Sequence, residues 1–241
     1  MIFEDRRDAG RKLAEKLSNY SSPETIVLAI PRGGVVVGAE VAGALQVPLD
    51  VIVPRKIGAP GEREFAIGAI AGEDVRLLDE QTITMLRVSE KYIEHEIREQ
   101  RAEIVRRRKL YRGDRPVPSL EGKTVLLIDD GIATGYTTIA AAREIRKANP
   151  AKLVLAVPVA PRDTVARLKL EVDDLVVLET PEPFSAVGYW YLSFEQTTDE
   201  EVIELLKQEI RERARSTFGK FQDGATDVSE NHDDYLPDAF S

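Results

Sequence analysis

The 241 residues contain no cysteine and only two histidines, His95 and His232. That excludes disulfides, thiolate metal sites and cysteine nucleophiles, and leaves no basis for a histidine-centred metal site or catalytic triad. Any metal would be a hard cation held through oxygen. No apolar run approaches the ~18 residues a membrane span requires, and the opening "MIFEDRRDAG" lacks the apolar stretch of a signal peptide. The expected location is the cytoplasm. With 43% hydrophobic and 31% charged residues the chain reads as a globular α/β domain with additions.

The formal charge of −9 is concentrated at one end. Residues 222–241 hold six acids and no Lys or Arg, so the remainder carries only −3. This tail is polar and aperiodic, a mobile solvated end on composition, and 1–220 is read as the folded unit.

Apolar runs of strand length alternate with helical spacing. The expected strands are 25–30 ("TIVLAI"), 49–54 ("LDVIVP"), "TVLLI" within 121–130, 151–160 ("AKLVLAVPVA") and 174–179 ("DLVVLE"), with helices at 4–19, 35–46, 137–148, 161–171 and from 198 onward. Thr198 and Glu201 are spaced as a capping box. The segment "RKIGAPGERE" (55–64) reads as a polar loop, followed by a hairpin over 65–79. Residues 80–112 read as one long helical insertion with Leu86, Ile93, Ile97 and Ile104 on its apolar stripe. Alternating strands and helices imply a mostly parallel sheet covered on both faces, with ligands beyond the carboxyl ends of its strands.

Two motifs fall at that edge. "DDGIATGYTT" (129–138) places two acids, two glycines and three threonines in ten residues directly after a buried strand. A polar turn with one capping acid would not need this composition. Gly131 and Gly135 let successive amides turn inward, and Ala133, Thr134, Tyr136, Thr137 and Thr138 complete a loop opening a helix whose dipole favours an anion. Asp129 and Asp130 repel phosphate but accept hydrogen bonds from a vicinal diol, so a sugar phosphate satisfies both halves. No GxxxxGK[ST] loop is present, and "GGVVVG" is not a dinucleotide fingerprint. The second motif is "PRGG" (31–34), where Arg32, Gly33 and Gly34 follow a strand and taken alone also suit an ordinary strand-to-helix turn.

"VLLIDDGIATGYTT" resembles the phosphoribosyl pyrophosphate (PRPP) motif of type I phosphoribosyltransferases, and the chain is similar to the uncharacterised branch of that family over residues 25–195. The resemblance implies the type I fold, a mostly parallel sheet flanked by helices with a small hood at 181–195. It implies that Asp129 and Asp130 hold the ribose hydroxyls, that 133–138 hold the 5′-phosphate, and that Pro31–Gly34 forms the pyrophosphate loop. The segment from Val53 to Asp74 corresponds to the family's mobile catalytic loop, which assigns Arg55 and Lys56 to pyrophosphate. Mg²⁺ is expected with PRPP. A nitrogenous acceptor would lie under the hood, where Trp190 or Tyr191 would stack on a planar ring or serve as hood core. Glu64 is a candidate general base, with a solvated loop charge as the plainer alternative.

The rival from another class is a PRPP- or nucleotide-sensing module without transfer activity. Residues 98–115 hold eight Lys and Arg against three acids, which raises a nucleic-acid role, but a pI near 5.0 and a solvated helix face oppose it. The same long helix is a candidate surface for a homodimer.

Overall fold

The computed structural model describes residues 2–218; the acidic tail lies outside them. Its centre is a five-stranded parallel sheet in the order β2–β1–β6–β7–β8, with β1 Thr25–Ala29, β2 Leu49–Val51, β6 Thr124–Ile128, β7 Lys152–Val159 and β8 Asp174–Glu179. The strands are nearly unbroken apolar runs because both faces are covered. Along β1, Val27 and Ala29 face one core while Ile26 and Leu28 face the other, the two-residue alternation of a strand. The first core receives α1 (Arg6–Lys16), α2 (Gly33–Leu45), α4 (Glu90–Arg112) and α7 (Asp199–Phe218). The second receives α5 (Tyr136–Arg146) and α6 (Arg162–Leu168).

This topology places the site. From β1 the chain crosses through α2 to β2 on one side; from β6 it crosses through α5 to β7 on the other, over the opposite face. The connections diverge between β1 and β6, leaving a crevice at their carboxyl ends. Both motifs leave those two ends. Ile30 N–H donates to the Ile128 carbonyl at 2.8 Å, so "PRGG" and "DDG" emerge side by side.

A second, antiparallel sheet of β3 (Arg55–Ala59), β4 (Glu62–Ala71) and β5 (Val75–Leu78) packs on α5 through Ala69, Ala71, Val75 and Ala140. The expected polar loop at 55–64 is thus β3 and the start of β4, joined by a two-residue Pro60–Gly61 turn with Gly61 at φ 81. Proline then glycine is what a turn with φ > 0 at its third position requires. The exposed positions 62–65 hid the strand because they carry no apolar alternation. The predicted hairpin over 65–79 is present as β4–β5.

The insertion also departs from expectation. It is two helices, α3 (Glu80–Met85) and α4, broken at Arg87 with φ 52 and restarted where the Ser89 hydroxyl caps Tyr92 N–H. Leu86 falls in the break and is 48% exposed, so the stripe is Ile93, Ile97, Ile104 and Tyr111. The capping box of α7 forms in both directions: Glu201 N–H to Thr198 Oγ1 at 3.1 Å, and Thr198 N–H to Glu201 Oε2 at 2.7 Å.

Candidate active site

The loop after β6 is shaped from behind. Thr164 Oγ1 donates to the Ala133 carbonyl at 2.8 Å, and Arg167 Nη2 donates to the Thr134 carbonyl at 2.7 Å. In a trans peptide the N–H opposes the C=O, so binding these carbonyls to α6 turns the amides of Thr134 and Gly135 away from it. No acceptor in the described protein takes up the backbone amides of residues 133–138. Gly135 caps α5 at φ 78, and a Cβ there would lie 2.9 Å from Thr164 Cγ2. The result is a run of free donors at a helix N-terminus, suited to one phosphate. Thr134 is exposed and Thr137 half-buried, whereas Thr138 is buried with its Oγ1 unpartnered.

Asp129 and Asp130 stand at the mouth of the crevice. Asp129 Oδ1 accepts the Asp130 amide at 2.9 Å. Burial, then the charge of Asp130, push the Asp129 carboxyl well above the usual carboxylate range. Asp130 Oδ2 is paired with Arg6 Nε of α1 at 2.7 Å.

"PRGG" packs directly on these acids. A Cβ on Gly33 would fall 1.9 Å from Asp130 Oδ2, and one on Gly34 would fall 2.9 Å from Asp129 Cα. The peptide between Pro31 and Arg32 is cis. Gly33→Ala is therefore expected to displace Asp130 or the loop, costing about 1–3 kcal/mol; denaturant unfolding of the variant checks it, and an unchanged midpoint would contradict the close approach.

Arg32 Nη1 lies 3.9 Å from Asp199 Oδ1, which also accepts the Tyr111 hydroxyl at 2.5 Å. Burial and that bond push Tyr111 up to about 12. The long helix and the start of α7 thereby meet the candidate pyrophosphate loop, a contact no local pattern indicates.

Arg55 and Lys56 each have a protein partner. Arg55 Nε donates to Gln100 Oε1 of α4 at 2.9 Å, and burial and Arg107 lower its pKa. It lines a separate charged groove with Arg63 and Arg106. Lys56 Nζ pairs with Glu64 Oε2 at 2.6 Å. That pairing lowers the Glu64 pKa, the wrong direction for a general base near neutrality, so Glu64 is a paired, exposed charge on β4.

The hood is tied to the start of the chain. Residues 3 and 4 pair with 190–193: Phe3 N–H donates to the Trp190 carbonyl at 2.9 Å and Leu192 N–H to the Phe3 carbonyl at 2.8 Å. Tyr191 is buried, its ring 5.4 Å from Phe3 and 4.9 Å from Phe194. Its hydroxyl donates to the Asp130 carbonyl. Tyr191 therefore supports the acidic pair and is not free to stack on a ring, and Trp190 packs into the same cluster.

Beside the amide cradle lies a cleft of about 710 Å³, bordered by Thr134, Tyr136, Arg162 and Arg167, by Phe65 of β4 and by Phe184 at the start of the hood. Tyr136 donates to Asp79 Oδ2 at 2.6 Å, tying the loop to the end of β5. Arg6, Arg167, Thr164, Tyr111 and Asp199 escaped the sequence reading because their roles depend on contacts across the fold; Arg6 and Asp130 are 124 residues apart.

Comparison with known proteins gives the family of the chain. The chain matches the family described as phosphoribosyl transferase domain over residues 3–189. It is 42% identical over 215 residues, 89% of its length, to the Mycobacterium tuberculosis (strain H37Rv) protein named "Putative phosphoribosyl transferase Rv0571c", and equally so to its CDC 1551 counterpart MT0597. The match covers 48% of those proteins, so the chain spans about half the length of the curated relatives it matches. The solved structure of TT1426 from Thermus thermophilus is similar at a TM-score of 0.71 and 42% identity, covering 86% of this chain and 99% of that one. The chain belongs to the phosphoribosyl transferase domain family.

Proposed function

We propose that the protein binds PRPP at the crevice between β1 and β6 and transfers its phosphoribosyl group to a nitrogenous acceptor, releasing pyrophosphate. The observation that carries this reading is the contact of three elements: the free amides of 133–138, the carboxylates of Asp129 and Asp130, and the glycine loop 31–34 packed against them. A 5′-phosphate fits the first, a ribose diol the second and a diphosphate the third. As C1 gains positive character and the bond to pyrophosphate lengthens, the two carboxylates would stabilise the developing charge. Arg32 would meet the leaving group, with Asp199 holding it in place.

Among the described residues no group of three or more His, Cys, Asp or Glu is disposed to hold a metal alone. Two carboxylates beside a phosphate site nonetheless fit Mg²⁺, which is ordinarily held by one or two carboxylates together with substrate oxygens and water. Asp129 and Asp130 would be its protein partners, and the ion would neutralise charge on the pyrophosphate.

The cleft bordered by Phe65 and Phe184 is the proposed place of the acceptor, in preference to Trp190 and Tyr191. Two aromatic side chains at one opening suit a planar ring. Phe65 is 48% exposed near the tip of the β3–β4 hairpin, so closing this hairpin would both cover the acceptor and exclude water. Among the described residues no helix is long and apolar enough to cross a membrane.

A second reading, a PRPP or nucleotide sensor, is favoured by the positions of Arg55 and Lys56, which bond to Gln100 and Glu64 and have no bond to the acidic pair. One experiment separates the two. Calorimetry with PRPP and Mg²⁺ is expected to show binding, and a panel of bases, nucleosides and amines is expected to include one that releases pyrophosphate. Binding without turnover on any acceptor would support the sensor; no binding would refute both.

A further inference from the structure

Asp130 is held by two residues from distant parts of the chain, Arg6 and Tyr191. Arg6 Nε donates to its Oδ2 at 2.7 Å, and the two side chains are only 12% and 16% exposed. Arg6 Nη1 donates to the Glu195 carbonyl at 2.6 Å, and the guanidinium carbon lies 3.8 Å above the Phe194 ring. Tyr191 donates to the backbone carbonyl of the same Asp130. Arg6 itself sits in the first turn of α1, which Asp5 caps at Asp8 N–H. The hydrogen bonds of Phe3 and Glu4 to 190–193 carry that turn to the hood.

A surface ion pair would need none of this. Stacking on an aromatic face and a second hydrogen bond to a carbonyl leave the guanidinium little rotational freedom, so it fixes the carboxylate it grips. With Oδ2 engaged, the carboxylate is held in one orientation. The Cβ that Gly33 lacks would lie 1.9 Å from Asp130 Oδ2 and 2.5 Å from Arg6 Nε. Arg6 therefore stands where the acidic pair and the glycine loop touch.

We propose that Arg6, locked by Phe194 and the Glu195 carbonyl, is a positioning residue that orients Asp130 for the donor ribose and makes donor affinity depend on the hood and the amino-terminal turn. This rests on the donor-site reading above. It predicts that the hood acts on the donor through Arg6 and Tyr191, in addition to covering an acceptor.

A double-mutant cycle tests it, with calorimetric titration of PRPP and Mg²⁺ into the full chain. Arg6→Ala is expected to weaken binding roughly tenfold, and to cause no further loss once Asp130→Asn is present, because contacts acting through one group are non-additive. Arg6→Lys, which keeps the charge without the fork, should recover part of the loss. Arg7→Ala, at an exposed pair with Glu40, should bind as the parent does. Full affinity in Arg6→Ala, or a loss that adds to that of Asp130→Asn, would overturn the proposal. Should Arg6→Ala not fold, Arg6→Lys and Phe194→Leu run the same cycle with the same criteria. If Asp130→Asn itself binds like the parent, the donor-site reading fails; if it is weakened while the Arg6 variants are not, only the positioning role fails.

Discussion

Asn in place of Asp129 and Asp130 together is expected to lower kcat/KM for PRPP by about 10²–10³-fold, the range seen when a preorganised electrostatic partner of a transition state is removed. Asparagine keeps the shape and can still accept the Asp130 amide bond, so the effect isolates charge. Steady-state pyrophosphate release measures it, and a change under threefold would exclude the acidic pair from the chemistry. The pH dependence has a definite sign. The folded pKa of Asp129 is raised by burial and by Asp130, so the native state holds this proton more tightly than the unfolded chain. The group's contribution to stability is then present at acid pH and falls as pH rises through the window between the ordinary value, 3.8, and the raised one. Diol binding needs the carboxylate. Donor affinity should thus weaken as pH drops through the raised value, and Asp129→Asn alone should increase the thermal midpoint at neutral pH while weakening donor binding. The site would be maintained against stability.

Arg112→Ala is expected to destabilise the protein by about 3–5 kcal/mol, because it leaves a buried carboxylate without its partner. Arg112 Nη2 lies 2.9 Å from Asp50 Oδ2, both side chains are 10% exposed, and Nη2 also reaches the Val51 carbonyl at 3.3 Å. This pair fastens the end of α4 to edge strand β2, and one residue earlier Tyr111 extends the connection to Asp199 and so to Arg32. Chemical denaturation should show the loss as a lower midpoint at unchanged slope. Pairing Arg112→Met with Asp50→Leu should recover most of it, since an apolar pair removes the stranded charge. A single variant as stable as the parent would show that the pair is solvated.

The strands and the two motifs could be read because their causes are local. β1 and β6 are buried on both faces, so each is an apolar run whatever surrounds it. The β3–β4 hairpin could not be read, since its outer half is exposed and polar and its pairing depends on β5 and α5 behind it. The break between α3 and α4 also escaped, because Arg87 adopts a left-handed backbone in a segment whose apolar spacing runs on past it.

The proposed donor half of the site follows the same division. Two acids, two glycines and three threonines after a strand are a local pattern, and chain order alone set them at the carboxyl end of that strand. Glycines at 33 and 34 were legible in the sequence, but that they rest on Asp130 and Asp129 follows only from β1 and β6 being neighbours. Tertiary structure alone decided which side chains serve the acids. It buried Tyr191 against Phe3, brought Arg6 to Asp130 and set Asp199 beside Arg32. Local periodicity carries information over a few residues. The Arg6 contact spans 124 residues of chain, and the pairing of Phe3 with the hood spans still more. The amino acids by themselves determined the parallel α/β fold and the pattern on which a sugar-phosphate site is proposed; the packing of the first helix and the hood onto the sheet edge determined how those residues are held.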